Sequence, residues 1–141
     1  MKLLGIDYGR RRIGVAITDE TGICIRGCPT IDRKKTSKPL TALIDVITKE
    51  SPQALVFGLP LGPHDEETVM SREIRAFAGR LHDALAEKIP IHFVDESFSS
   101  VHSKQHLHLL KKKKRRDKQL VDKLAACAIL ESFQRQQECD Y

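Results

Sequence analysis

The sequence predicts an α/β fold. One mixed five-stranded sheet opens as a three-strand antiparallel meander, continues as alternating helix and strand, and carries helices on both faces. Three observations predict it. Short β-branched runs separated by turn signals fill the first thirty residues. The apolar run Ala54–Gly58 and the shorter Ile91–Val94 read as strands buried on both sides. Helical periodicity lies before, between and after them.

Taken in order, Lys2–Asp7 is the first strand, and it ends on a carboxylate. An acid at the end of a core strand is costly unless a cation or a turn of backbone amides sits beside it. Gly9–Arg12 is a turn, Ile13–Asp19 a second strand and Thr21-Gly22 another turn. Ile23–Thr30 is a third strand, and the short connections make the meander. Asp32–Lys38 is a polar, basic loop. Leu40, Leu43, Ile44 and Ile47 fall at i, i+3, i+4 and i+7, an amphipathic helix that Ser51-Pro52 ends. Leu59–Glu67 is a loop. Val69–Lys88 is a long helix with Ile74, Phe77, Leu81 and Leu85 on one face, stopped by Pro90. Ser100–Leu110 is a helix capped by Ser99 or Ser100. Gln119–Gln134 is the last helix, with Val121, Leu124, Ala125, Ala128 and Ser132 along one side, and Gln136–Tyr141 is a frayed tail.

Composition narrows the class. With 141 residues, 40% hydrophobic and 30% charged, the chain suits a single domain spanning residues 1–141 with one core. No apolar run approaches the ~20 residues of a membrane span. Gly5, Asp7 and Arg10–Arg12 cut short the only stretch that begins like a signal peptide, so the expectation is cytoplasmic with no membrane partner. Cys24 and Cys28 could be half of a zinc site, but no second close pair completes it; free thiols are the simpler reading. The net charge is +5, concentrated in Lys111–Arg116 and Arg10–Arg12. Clustered positive charge points to a polyanion, most often nucleic acid. Aromatics are scarce, at 5% with no Trp, which favours contact with the backbone over stacking on bases.

In such a sheet, ligands bind at the carboxyl ends of the parallel strands. Asp7 ends strand one, Asp95 and Glu96 end strand five, and Asp122 lies near the start of the last helix. Each has a structural explanation: Asp7 capping the turn at Gly9, Asp95 capping a helix, Asp122 favouring a helix N-terminus. The small Ala125 and Ala126 let the last helix approach the sheet and aim Asp122 at the strand ends. Acids brought within a few Å repel unless a cation joins them. Mg²⁺ is the usual cation for all-oxygen sites that bind phosphate, and a pair of such ions can drive phosphodiester cleavage.

Gly5-Ile6-Asp7-Tyr8-Gly9-Arg10-Arg11-Arg12-Ile13-Gly14-Val15-Ala16, with Asp19, closely resembles the opening of the YqgF/RuvX family. Val56–Leu61 resembles its fourth strand and following loop, and Asp95-Glu96 stands where the family has Asp-Glu-Arg. Lys111–Arg116 followed by Val121–Ala126 resembles its basic segment and last helix. The resemblance implies an RNase H-like fold and a metal-dependent nuclease using Mg²⁺ or Mn²⁺. It implies one of two substrates, the 5′ end of precursor 16S ribosomal RNA or Holliday junctions. Asp7, Glu96 and Asp122 match the family's acidic positions as catalytic and metal-binding residues, with Asp95 as a fourth ligand. Arg10, Arg11, Arg12, Lys104, Lys111, Lys112, Lys113, Lys114, Arg115 and Arg116 are the candidate contacts to structured RNA or branched DNA. Two departures stand out. Ser97 replaces the family arginine, removing a bidentate phosphate or carboxylate partner, and the loop after Pro60 is acidic.

His102 and His106, at i and i+4, have metal-ligand spacing but no Glu between them; histidines near substrate phosphates are the better reading. Two rivals follow. One is a non-catalytic RNA-binding ribosome-assembly factor, favoured by Ser97. The other is a sugar-kinase or actin-like phosphate-binding domain, for which the chain is too short. The expected assembly is a monomer or homodimer.

Overall fold

The computed structural model describes residues 1–95 and 118–139. Glu96, Ser97, Lys104, Lys111–Arg116 and the expected helix Ser100–Leu110 lie outside the described residues. Among the described residues, six strands and three helices follow in the order β1 (Leu3–Asp7), β2 (Arg12–Thr18), β3 (Ile25–Gly27), β4 (Ile31–Asp32), α1 (Pro39–Glu50), β5 (Ala54–Leu59), α2 (Val69–Ala84), β6 (Ile91–Asp95) and α3 (Lys118–Cys139). The sheet runs β3-β2-β1-β5-β6, and β4 pairs with β2 beside β3. β2 is antiparallel to β1, β3 and β4, whereas β1, β5 and β6 are mutually parallel. The expected mixed sheet with helices on both faces is therefore present.

The third strand differs from its expected extent of Ile23–Thr30. It is interrupted between Gly27 and Ile31, and the register explains why. Gly27 pairs with Ala16, and Ile31 pairs with Ile13. Cys28, Pro29 and Thr30 therefore face only Val15 and Gly14, which is one residue too many. Pro29 has no N–H for the ladder, so the extra residue is absorbed there as a bulge. The expected loop then begins at Arg33, because Asp32 still pairs with Arg12.

Helix ends follow local chemistry. Pro39 opens α1 in the first turn, and Ser51 closes it in the left-handed region at φ 50°. Thr68 caps α2: its hydroxyl accepts from the Ser71 amide at 3.0 Å, and the Thr68 amide donates to the Ser71 hydroxyl at 2.8 Å. The expected extension of α2 to Lys88 does not occur. Leu85 turns extended at φ −74°, ψ 132° and is buried, while the Lys88 ammonium folds back and donates to the His82 carbonyl at 2.8 Å. A lysine thereby satisfies a carbonyl that the missing turn would have used. Among the described residues, no helix is long and apolar enough to cross a membrane.

Strand alternation sorts the core into two layers. Leu4, Ile6, Val15, Ile17, Leu55 and Phe57 face α1 and α2, where Leu43, Ile47, Ile74, Phe77 and Leu81 meet them. Leu3, Ala16, Ala54, Val56 and Val94 face α3, against Ala126, Ile129, Leu130 and Phe133.

Candidate active site

β1 alternates between those layers, so Leu3, Gly5 and Asp7 belong to the α3 face. Asp7 is the register partner of Gly14 on β2. A Cβ placed on Gly14 would lie 2.2 Å from the Asp122 carbonyl oxygen and 3.1 Å from the Asp122 Cβ. α3 thus rests its backbone directly on Gly14, in contact that only glycine permits. Paired residues hold their Cβ atoms about 4.5–5.5 Å apart. The Cβ atoms of Asp7 and Asp122 are therefore neighbours, separated by at most about 9 Å. The same close approach recurs one turn along. A Cβ on Gly5 would sit 2.8 Å from the Ala126 carbonyl and 2.6 Å from the Leu130 Cγ.

Arg12 shares the face of Gly14, two residues away on β2. Its Nε donates to Asp122 Oδ2 at 2.8 Å, and the two side chains are only 21% and 20% exposed. The guanidinium is the cation that this carboxylate has beside it.

The next residue, Tyr8, turns to the opposite face and is buried. Its ring lies 4.8 Å from that of Phe77, and its hydroxyl donates to Glu73 Oε1 at 3.2 Å. Arg33 closes the turn from the other side: its guanidinium stands 5.1 Å over the Tyr8 ring and its Nη1 donates to the Gly9 carbonyl at 3.0 Å. Arg10 pairs with Glu73 Oε2 at 3.3 Å, and Arg11 with Asp32 Oδ1 at 3.7 Å. The three arginines expected to meet a polyanion each have a carboxylate of their own.

Asp95 ends β6 opposite Leu59, on the face of Phe57 and Phe93, with β5 standing between it and β1. The structure thus brings Asp7 and Asp122 to one place and puts Asp95 on the other side of the sheet. Among the described residues, no three histidines, cysteines, aspartates or glutamates gather as a metal cluster. Cys24 is exposed, Cys28 buried and Cys127 partly buried, all three free thiols. Burial pushes the Cys127 thiol up to about 11, so it is a poor nucleophile or metal ligand.

Sequence reasoning missed Gly14, Arg33 and Glu73. The glycines had a signal: a glycine inside an otherwise β-branched strand marks a close backbone approach. The ion pair between Arg12 and Asp122 spans 110 residues and had none.

The family model RuvX, described as a Holliday junction resolvase, matches residues 1–136. The chain belongs to this family. A relative from Crocosphaera subtropica named "Putative pre-16S rRNA nuclease" is 38% identical over 130 residues, covering 92% of this chain and 90% of that protein. A relative of the same name from Legionella pneumophila is 36% identical and covers 96% of each chain. The fold is that of the RNase H-like resolvases. Thermus thermophilus RuvC in complex with a Holliday junction substrate superposes with a TM-score of 0.57 at 13% identity, over 96% of both chains. The fowlpox virus resolvase bound to Holliday junction DNA gives 0.58 at 12% identity, over 97% of this chain and 99% of that one.

Proposed function

We propose that the protein is a metal-dependent nuclease that hydrolyses phosphodiester bonds in structured RNA. Its task is trimming the 5′ end of precursor 16S rRNA in the cytoplasm. The observation that carries this reading is the seating of Asp122 on Gly14, the register partner of Asp7. Two carboxylates from opposite ends of the chain are paid for only if their shared place is used. The relatives' name, "Putative pre-16S rRNA nuclease", supports this substrate. Asp7 and Asp122, with Glu96 as the third acid, are the residues that hold Mg²⁺ or Mn²⁺. Bound there, such an ion would supply an activated water and would neutralise charge on the leaving oxygen. The chain's own part is orientation. Arg12 fixes the Asp122 carboxylate, and the Tyr8 clamp fixes the turn after Asp7.

A second substrate, the four-way DNA junction, is favoured by the description of the matching family and is tested alongside. Purified protein is incubated with a precursor-like RNA and with a four-way junction, in Mg²⁺, in Mn²⁺ and in EDTA. Cleavage is expected with either metal, absent in EDTA, and lost in Asp7→Asn. Tight binding with no cleavage under any condition would overturn the enzyme and leave an RNA-binding assembly factor, the outcome that Ser97 favours.

A further inference from the structure

Among the described residues, the cations best placed to meet substrate are not the arginines expected from the sequence. They lie in the turn between β4 and α1. Asp32 builds this turn: its Oδ1 accepts from the Lys34 amide at 3.0 Å, and its carbonyl accepts from the amides of Lys35 and Thr36 at 3.1 and 3.0 Å. Arg33 fastens the turn to the segment that carries Asp7. The Arg33 amide donates to the Arg11 carbonyl at 2.9 Å, while its side chain holds the Gly9 carbonyl and covers Tyr8. The position of Lys34 and Lys35 is therefore tied to the residues that follow Asp7. Both lysines are exposed, and neither makes an ion pair among the described residues. Arg10, Arg11 and Arg12 differ in that each is already held by a carboxylate. Asp32 also feels the charge of Lys35, but its carboxylate makes its hydrogen bond to the Lys34 amide and its ion pair to the Arg11 guanidinium, so neither lysine is paired to it.

We propose that Lys34 and Lys35, held in place by Arg33, contact the phosphate backbone of the nucleic acid at the end of the sheet where β1 finishes. The turn has hydroxyls and cations but no aromatic residue, so it grips phosphates and does not read bases. This location rests on the nuclease reading, but the binding it predicts does not need cleavage.

The test is the salt dependence of binding, measured in EDTA so that no substrate is cut. Full-length protein is titrated with a duplex RNA hairpin and, separately, with a four-way DNA junction, across a range of KCl concentrations. The double variant Lys34→Gln, Lys35→Gln removes two phosphate contacts. It should bind about tenfold more weakly at low salt, with a log–log salt slope shallower by about 2. A control pair with the same change in net charge, Lys49→Gln and Lys88→Gln, lies at the opposite end of the sheet and should leave the slope as it is. Arg33→Lys keeps the charge but loses the fork that spans Gly9 and Tyr8. It should weaken binding with little change of slope. A loss confined to the hairpin, confined to the junction, or seen on both supports the surface and names the backbone it holds. Equal slopes for the wild type and Lys34→Gln, Lys35→Gln would overturn the proposal, as would wild-type protein that binds neither ligand. Metal-dependent cleavage sensitive to Asp7→Asn would survive the first of those results, which keeps the two readings separable.

Discussion

The two faces of the sheet are built by opposite rules. Toward α1 and α2 the strands present large side chains, and Phe77 sits among Tyr8, 4.8 Å between ring centres, and Phe57 at 6.4 Å. Toward α3 they present Gly5, Gly14 and Gly27 among Leu3, Ala16, Val56 and Val94, and the backbone or a side chain of α3 lies where a Cβ on each glycine would be. Lys123 lays its aliphatic stem 3.0–3.1 Å from a Cβ on Gly27. One face gains stability from side-chain volume. The other gives volume up so that a helix can carry Asp122 down to the level of Asp7. β1 divides the two roles within five residues, because alternation sends Ile6 and Tyr8 one way and Gly5 and Asp7 the other.

The widest separation between the faces should come from Phe77→Ala. Phe77 is 2% exposed, and truncating a buried Phe typically costs about 3–5 kcal/mol. Chemical denaturation should show that loss. Protein that remains folded at low temperature should still cleave, within the few-fold loss that removing the ring beside Tyr8 allows, because the α3 face is not altered directly. A fall in cleavage far beyond the unfolded fraction would show that the layers are coupled more tightly than this division allows.

Gly14→Ala reverses the pattern. The new methyl meets the Asp122 carbonyl oxygen at 2.2 Å, against backbone that cannot rotate away. α3 must shift, at a cost of about 1–3 kcal/mol. A displacement of about 1 Å in a catalytic group can cost about 100-fold in rate. Cleavage should therefore fall much more than stability. The same methyl at Gly79, where a Cβ meets no atom within 4 Å, should leave cleavage intact and stabilise α2 by roughly 0.5–1 kcal/mol. Wild-type cleavage by Gly14→Ala would mean that the closeness of α3 to β2 does not matter to the site.

Much of this arrangement was legible in the sequence, and what was not has a physical cause. The parallel strand β5 declares itself because both of its faces are buried, whereas β6, expected to be buried as well, is the edge strand and buries only Val94 fully. α1 declares itself through Leu40, Leu43, Ile44 and Ile47. The break at Pro29 is a matter of register, which local propensity does not carry. The end of α2 at Ala84 depends on a Lys88 side chain reaching back to His82. Asp7 and Asp122 stand out as acids at element ends, but their adjacency depends on Gly14, whose role appears only when α3 is in place. The side taken by Asp95 depends on its pairing with Leu59, and neither residue type discloses it. The arginines of the first turn read as free charge because their partners, Glu73, Asp32 and Asp122, are distant in sequence.

The smallest expected effect tests the junction between the faces. Tyr8 belongs to the α2 side by packing, yet it is bonded directly to Asp7 in the chain. Tyr8→Phe keeps the stack on Phe77 and removes only the hydroxyl that donates to Glu73. The pair is partly buried, so the loss in stability should be about 0.5–1.5 kcal/mol. If the clamp positions Asp7, kcat should fall by a few-fold while KM holds, since the cations that grip the backbone are untouched. A drop in KM-linked binding alone would instead assign the Tyr8–Glu73 contact to holding Arg10 in place, because Arg10 shares the same carboxylate. The split between the two constants separates a role in aiming the catalytic turn from a role in ordering the charged surface around it.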